Sequence, residues 1–324
     1  MAKYAYKGAT PTQSSSANAG VFSVSDVTEL LNNDEMSVPS FDVQYLVIGG
    51  GAGGGGPAGS ASGTGGGGAG GYRNSFASEN SGNNIPTEAV LKLPLNTDIT
   101  VTVGAGGSSN TDGNDSVVYT ITSLGGGRGG NGGGNRAYLG LVGSGGGAGS
   151  YVGSLSYGKQ GSVEQGTIGG YSKGGNTNNI RAGGGGGGAG QNGENGQDYD
   201  AGVGGNGLTS SITGSAVTRA GGGGGAGPNS GNSRAGGSGG GGSSVNNGST
   251  AASGTVNTGS GGGSATGSGG IPGSGGSGVV ILRWATADAT IGATRTGLTD
   301  GGVQTDGSDS YIVFTAGTGT VTFS

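Results

Sequence analysis

VQYLVIGGGAGGGG, residues 43–56, sets an apolar, β-branched and aromatic run directly against a glycine string. The first six residues read as a buried strand, begun near Phe41. The glycines that follow contain a Gly-x-Gly-x-x-Gly pattern, which after a strand is the fingerprint of dinucleotide binding. That chemistry needs a helix whose N-terminus faces the pyrophosphate, but the chain continues Pro57-Ala58-Gly59-Ser60-Ala61-Ser62-Gly63 into more glycine. No helix is expected there, and no acidic residue closes a second strand some 20 positions on. Nucleotide binding is therefore not expected.

Outward from this stretch, the glycine-rich region runs to about Gly278, where GVVILRW (278–284) supplies a matching apolar strand holding Trp284, the one tryptophan. Two strands thus bracket the region. Between them, LKLPLNTDITVTVGAGG (91–107) and SVVYTITSLGGG (116–127) alternate as strands or hairpins do. GGGAG recurs at 66–70, 145–149, 186–190 and 223–227 without a fixed period, which does not suit a solenoid of equal units. Seven prolines and no Gly-X-Y register exclude collagen. SDSYIVFTAGTGTVTFS, at the C-terminus, reads as two strands joined by an Ala-Gly-Thr-Gly turn. Near the N-terminus Ser25 and Asp26 precede Val27, Leu30 and Leu31, with Glu29 in the first turn, predicting one short helix.

The expected fold is mostly β with extensive glycine-rich loops or polyglycine-II-like helices, a short N-terminal helix and a small C-terminal β module. The divisions expected are an N-terminal attachment segment (1–40), the glycine-rich domain (41–285) and the C-terminal module (286–324). Glycine fills 91 of the 324 residues. Ordering that much backbone is entropically expensive, and hydrogen bonds must offset it because glycine has no side chain to bury. Extended three-residue helices packed side by side would do so, since the missing Cβ lets backbones exchange lateral N–H···O=C bonds. The alternative is that the runs are flexible spacers. Only 10% of residues are charged, so charge repulsion does not hold the chain open.

Composition also narrows function. With no Cys and no His, the chain lacks thiolate chemistry, the commonest metal ligand and the commonest general base. No catalysis, cofactor or metal site is expected. A net charge of −5 without any Lys/Arg cluster disfavours nucleic acid. No apolar run approaches membrane-spanning length, and MAKYAYKGAT lacks the apolar segment of a signal peptide, so neither membrane insertion nor export by the usual route is expected. Asp112 and Asp115 in TDGNDS lack the spacing of a calcium loop and read as turn residues. Asp198 and Asp200 in GQDYDAG read as solvated loop carboxylates.

Side-chain chemistry concentrates in the insertions at 71–84, 150–183 and 191–202, which gather Tyr, Asn, Gln and Arg. Such residues combine large contact area with adaptable hydrogen bonding and suit polar targets such as glycans or outer-membrane protein loops. Tyr72, Tyr157, Tyr171 and Tyr199 are the candidate receptor contacts. The competing reading is that these tyrosines cap glycine helices or fill local cores.

In order, GVFSVSDVTELL (20–31), VQYLVIGGG (43–51), GGGGAGGY (65–72), VTVGAGG (101–107) and GSGVVILRW (276–284) resemble the glycine-rich domain of bacteriophage tail-fibre and related virion proteins, particularly those of marine and cyanobacterial phages. The C-terminal segment resembles the small β module that often follows. More distantly, the chain is similar to adhesins at the tips of T-even-type long tail fibres, whose glycine helices stack in a sandwich and whose connecting loops bind receptor. Here the glycine runs are shorter and more broken by Ser and Asn. The resemblance implies a virion structural or host-binding role without cofactor, residues 1–40 docking on other tail or fibre proteins, and assembly as a homo-oligomer, commonly a trimer. A capsid decoration, head fibre or baseplate-associated protein without receptor binding is the alternative it leaves.

Overall fold

A computed structural model describes residues 39–57, 62–132, 141–150, 156–173, 181–197, 200–227, 233–246 and 248–324. The expected short helix containing Val27, Leu30 and Leu31 lies outside the described residues. The strands are β1 (Ser40–Ile48), β2 (Tyr72–Asn74), β3 (Leu91–Pro94), β4 (Asp98–Val103), β5 (Ser116–Val118), β6 (Ile121–Ser123), β7 (Leu208–Ser210), β8 (Val217–Arg219), β9 (Val279–Ala285), β10 (Leu298–Asp300), β11 (Gln304–Asp306) and β12 (Asp309–Thr322). Ten of them build one nearly closed antiparallel sheet in the order β2-β1-β9-β12-β4-β5-β6, with β3 on β1 and with β10 and β11 on β12; β7 and β8 pair separately. Among the described residues the only helical turn is a 3-10 turn at Gly82–Asn84.

The bracketing strands β1 and β9 pair with each other, Gln44 opposite Arg283 through to Ile48 opposite Val279. The pleat sends alternate residues to opposite faces. Val43, Tyr45, Val47, Val280, Leu282 and Trp284 enter the core enclosed by the sheet, where Phe323 packs on Phe41 and Trp284 with ring centroids 5.0 and 5.3 Å apart. Leu46, Ile48, Val279 and Ile281 enter a second core against the glycine region. Burial on both faces explains the continuous apolar runs at 45–48 and 279–282, whereas the start of β1 alternates, with Ser40 and Asp42 exposed beside the buried Phe41 and Val43.

The C-terminal strands do not form the expected hairpin. β12 is one continuous strand that pairs with β9 through 309–314 and with β4 through 317–322. Gly317 and Gly319, read from sequence as turn residues, are sites of close approach. A Cβ there would sit 1.9 Å from Gly297 O and 2.2 Å from Thr296 O, on the chain leading into β10.

Beyond Ile48 the backbone changes from strand to a three-residue repeat of hydrogen bonding. The amides of Gly49, Ala52 and Gly55 donate to Gly71, Gly68 and Gly65; those of Gly50 and Gly53 donate to Asn114 and Thr111; those of Gly51 and Gly54 donate to Gly276 and Gly273. The carbonyls of the same run receive Gly126 and Gly129, Gly107 and Asn110, and Gly262 and Ala265, again in steps of three. A chain with three residues per turn and a different neighbour at each step is the polyproline-II geometry, here surrounded by six backbones. Residues 65–71 and 183–189 repeat the scheme. None of the glycines in 49–56, 65–71 or 183–190 has a positive φ, so closeness and not handedness selects glycine. At Gly65, for instance, a Cβ would lie 1.9 Å from Gly147 O. Each GGGAG string admits a methyl at one place: Ala69, Ala148, Ala189 and Ala226 are buried.

Candidate surface-recognition site

Because the lattice interior is backbone, distinctive side-chain chemistry collects at its margin. At one margin, residues 156–159 run antiparallel to 169–172, with Ser172 N–H donating to Ser156 O at 2.9 Å and Gly169 N–H to Lys159 O at 3.1 Å. This crossing brings Tyr157 and Tyr171 together edge to face, ring centroids 5.1 Å apart. Both are exposed, Tyr157 at 67% and Tyr171 at 38%.

The next row is QNGENGQ, residues 191–197. Gly193 and Gly196 point into the lattice and are buried, whereas the residues between them are exposed. Their amides donate to Ile168 O and Tyr171 O. In return Asn192 Oδ1 accepts from Ile168 N–H and Asn195 Oδ1 from Tyr171 N–H, at 3.3 and 2.8 Å. Edge backbone amides that lack a glycine neighbour thus receive a side-chain carbonyl at the lattice period. Asn206 continues the pattern, accepting from Ser238 N–H at 2.9 Å while its Nδ2 donates to Gln191 Oε1 at 2.8 Å. With their oxygens occupied, Asn192 and Asn195 each present an NH₂ group for which no partner is seen among the described residues, about 9 Å apart along the repeat. Gln191, Asn192, Glu194, Asn195 and Gln197 line an open hollow of about 530 Å³.

The other sequence candidates are placed differently. Tyr72 is fully buried in the second core, packed with Leu46, Ile48 and Ala189, so its side chain is no surface contact; the competing reading of a core tyrosine holds for it. Tyr199 and Asp198 lie outside the described residues. Asp200 pairs with Arg234. Asp112 and Asp115 are edge acceptors too, taking Arg128 N–H at 2.6 Å and Gly125 N–H at 2.7 Å, three residues apart on both sides. Asp112 also holds the buried Lys159 ammonium at 3.2 Å. The amides of Gly49 to Gly55 are all bonded within the lattice, which leaves none for a phosphate. The sequence reading marked the insertion at 191–202 but not the roles of Asn192 and Asn195, although Gly193 and Gly196 three apart between polar pairs were their signal.

Among the described residues no group of three or more His, Cys, Asp or Glu is placed to hold a metal, and no helix is long and apolar enough to cross a membrane. Residues 32–285 match the family described as glycine-rich domain. No curated protein and no solved structure matches the chain.

Proposed function

The chain belongs to the glycine-rich domain family, and from that premise we propose that it is a non-enzymatic structural protein of a bacteriophage particle, a tail-fibre subunit or adhesin that meets the host surface. The observation that carries this reading is the exposed Tyr157–Tyr171 pair beside the amide row of 191–197, mounted on a backbone-bonded lattice. A rigid platform with aromatic and amide groups at its margin suits polar ligands, because the platform loses little freedom on binding. The order of strands and glycine runs, which resembles that of phage virion proteins, supplies the biological setting. In this reading residues 1–40 dock on other tail or fibre proteins, the chains assemble as a homotrimer, and the partner is a host glycan or outer-membrane protein.

The test is antibody against residues 150–183 applied to purified virions, with electron microscopy and an adsorption assay on the same preparation. Label on fibres together with blocked adsorption is expected. Label on the capsid or baseplate, or label on the tail without loss of adsorption, overturns the receptor-binding role.

A further inference from the structure

Arg219 ends β8 opposite Leu208 of β7, so the two side chains share one face of the hairpin, and Leu208 packs against the second core. The residue is only 9% exposed, and its Nη1 is wholly buried without a hydrogen-bond partner. Tyr72, in the core beside Leu208, Ile212 and Ala220, carries a hydroxyl that is likewise buried and unpartnered. The two groups act on each other electrostatically, and Ser210 Oγ adjoins the phenol. Two other buried cations are matched: Arg283 reaches Asp306 and Asp309 at 2.9 Å each, and Lys159 reaches Asp112. No carboxylate among the described residues pairs with Arg219. Glu79, the acidic group that acts on Tyr72, is already engaged by Ser211 N–H at 2.8 Å and Asn74 Nδ2 at 3.1 Å.

We propose that Arg219, Tyr72 and Ser210 form an internal site for one small monovalent inorganic anion of halide size, bound by the Arg219 Nη1–H and Tyr72 Oη–H donors. Two buried, neighbouring donors and one positive charge that no described carboxylate pairs with define the ligand. A water molecule would answer the hydrogen bonds but leave the buried charge unbalanced, which is the costlier defect in a low-dielectric interior. Both groups stay protonated at neutral pH. Burial raises the phenol well above its ordinary range, and burial lowers the guanidinium from a starting point so high that it remains a cation. The site ties β8, and through it the 207–227 segment, to β2 and the main sheet, so its occupant acts on stability and not on the exposed face.

The full-length protein is exchanged into gluconate, an anion too large to enter, and titrated with chloride at constant ionic strength. The melting temperature is expected to rise by about 2 °C for each tenfold increase in chloride above its dissociation constant. Arg219→Met should abolish that dependence, and Tyr72→Phe should weaken it. Crystals grown in bromide should show an anomalous peak within hydrogen-bonding reach of Arg219 Nη1; this measurement on the unaltered chain decides the matter if Arg219→Met does not fold. A melting temperature indifferent to chloride, a dependence that survives in Arg219→Met, or a peak without anomalous signal overturns the proposal.

Discussion

Ile48 lies opposite Val279 on the last rung of the β1–β9 ladder. The glycine-rich region leaves the sheet after one and makes its last return just before the other, having rejoined the sheet at β2 to β6 in between, so this pair of strands holds the two ends of the lattice. Leu282, buried at 0% exposure on the enclosed face of β9, supports that pairing. Leu282→Ala is expected to cost about 2–5 kcal/mol. Because the ends of the lattice are held by these strands, Trp284 fluorescence and far-ultraviolet circular dichroism should report one coincident denaturation transition in both proteins. Two separated transitions would show that the sheet and the lattice fold independently.

Space, not backbone handedness, selects glycine in the runs 49–56, 65–71 and 183–190, and paired substitutions separate the two. At Gly65 a methyl would meet the Gly147 carbonyl carbon at 2.4 Å as well as its oxygen. Neither atom can yield without breaking lateral bonds. Gly65→Ala should therefore destabilise by about 3 kcal/mol or more. Gly301, which has no atom within 4 Å of the added methyl and no positive φ, is the control. Gly301→Ala should be neutral or stabilise by up to about 1 kcal/mol through the unfolded chain. Chemical denaturation midpoints of the two variants check the contrast.

The amide row makes a prediction at single-residue resolution. Asn195→Ala removes the acceptor at 2.8 Å from Tyr171 N–H, which should cost about 1 kcal/mol. It should also accelerate hydrogen exchange of the Tyr171 amide selectively. Gln197, exposed on the same row, should tolerate alanine within about 0.5 kcal/mol. Equal exchange rates at Tyr171 in Asn195→Ala and the unaltered chain would remove the capping role from Asn195.

These positions also show how far the sequence reaches. Apolar runs at 43–48 and 279–284 announced buried strands because hydrophobic side chains carry their burial with them, while their pairing with each other came only from the structure. Which glycine run lies beside which was not encoded in that way: a run without side chains specifies neighbours only through its rare exceptions, the buried alanines and the Asx acceptors at its edges. Tyr72 looked like a loop residue because β2 is three residues long, too short to display a period of two. Gly317 looked like a turn because the chain that needs its missing Cβ, at Gly297, is distant in sequence. The Tyr157–Tyr171 approach depended on a crossing of two backbones, which composition could not reveal.

Acid sensitivity should originate at the C-terminal strands. The hydrogen bond from Arg295, with Nε 2.9 Å from Asp300 Oδ2, holds the Asp300 carboxyl below the ordinary carboxylate range; burial opposes it, and the Gly302 N–H at 2.8 Å assists. The side chains are 17% and 11% exposed, so solvent screens the pair little. A carboxyl whose folded pKa is depressed contributes stability above its unfolded pKa, and that contribution fades as pH falls toward and through the lower folded value. Asp300→Asn should therefore lose roughly 1–3 kcal/mol at neutral pH, and the gap to the unaltered protein should close as pH falls below the ordinary carboxylate range. Urea denaturation of both proteins from neutral pH into acid measures the gap directly. A difference that stays constant across that range would mean that Asp300 acts through its shape and not its charge.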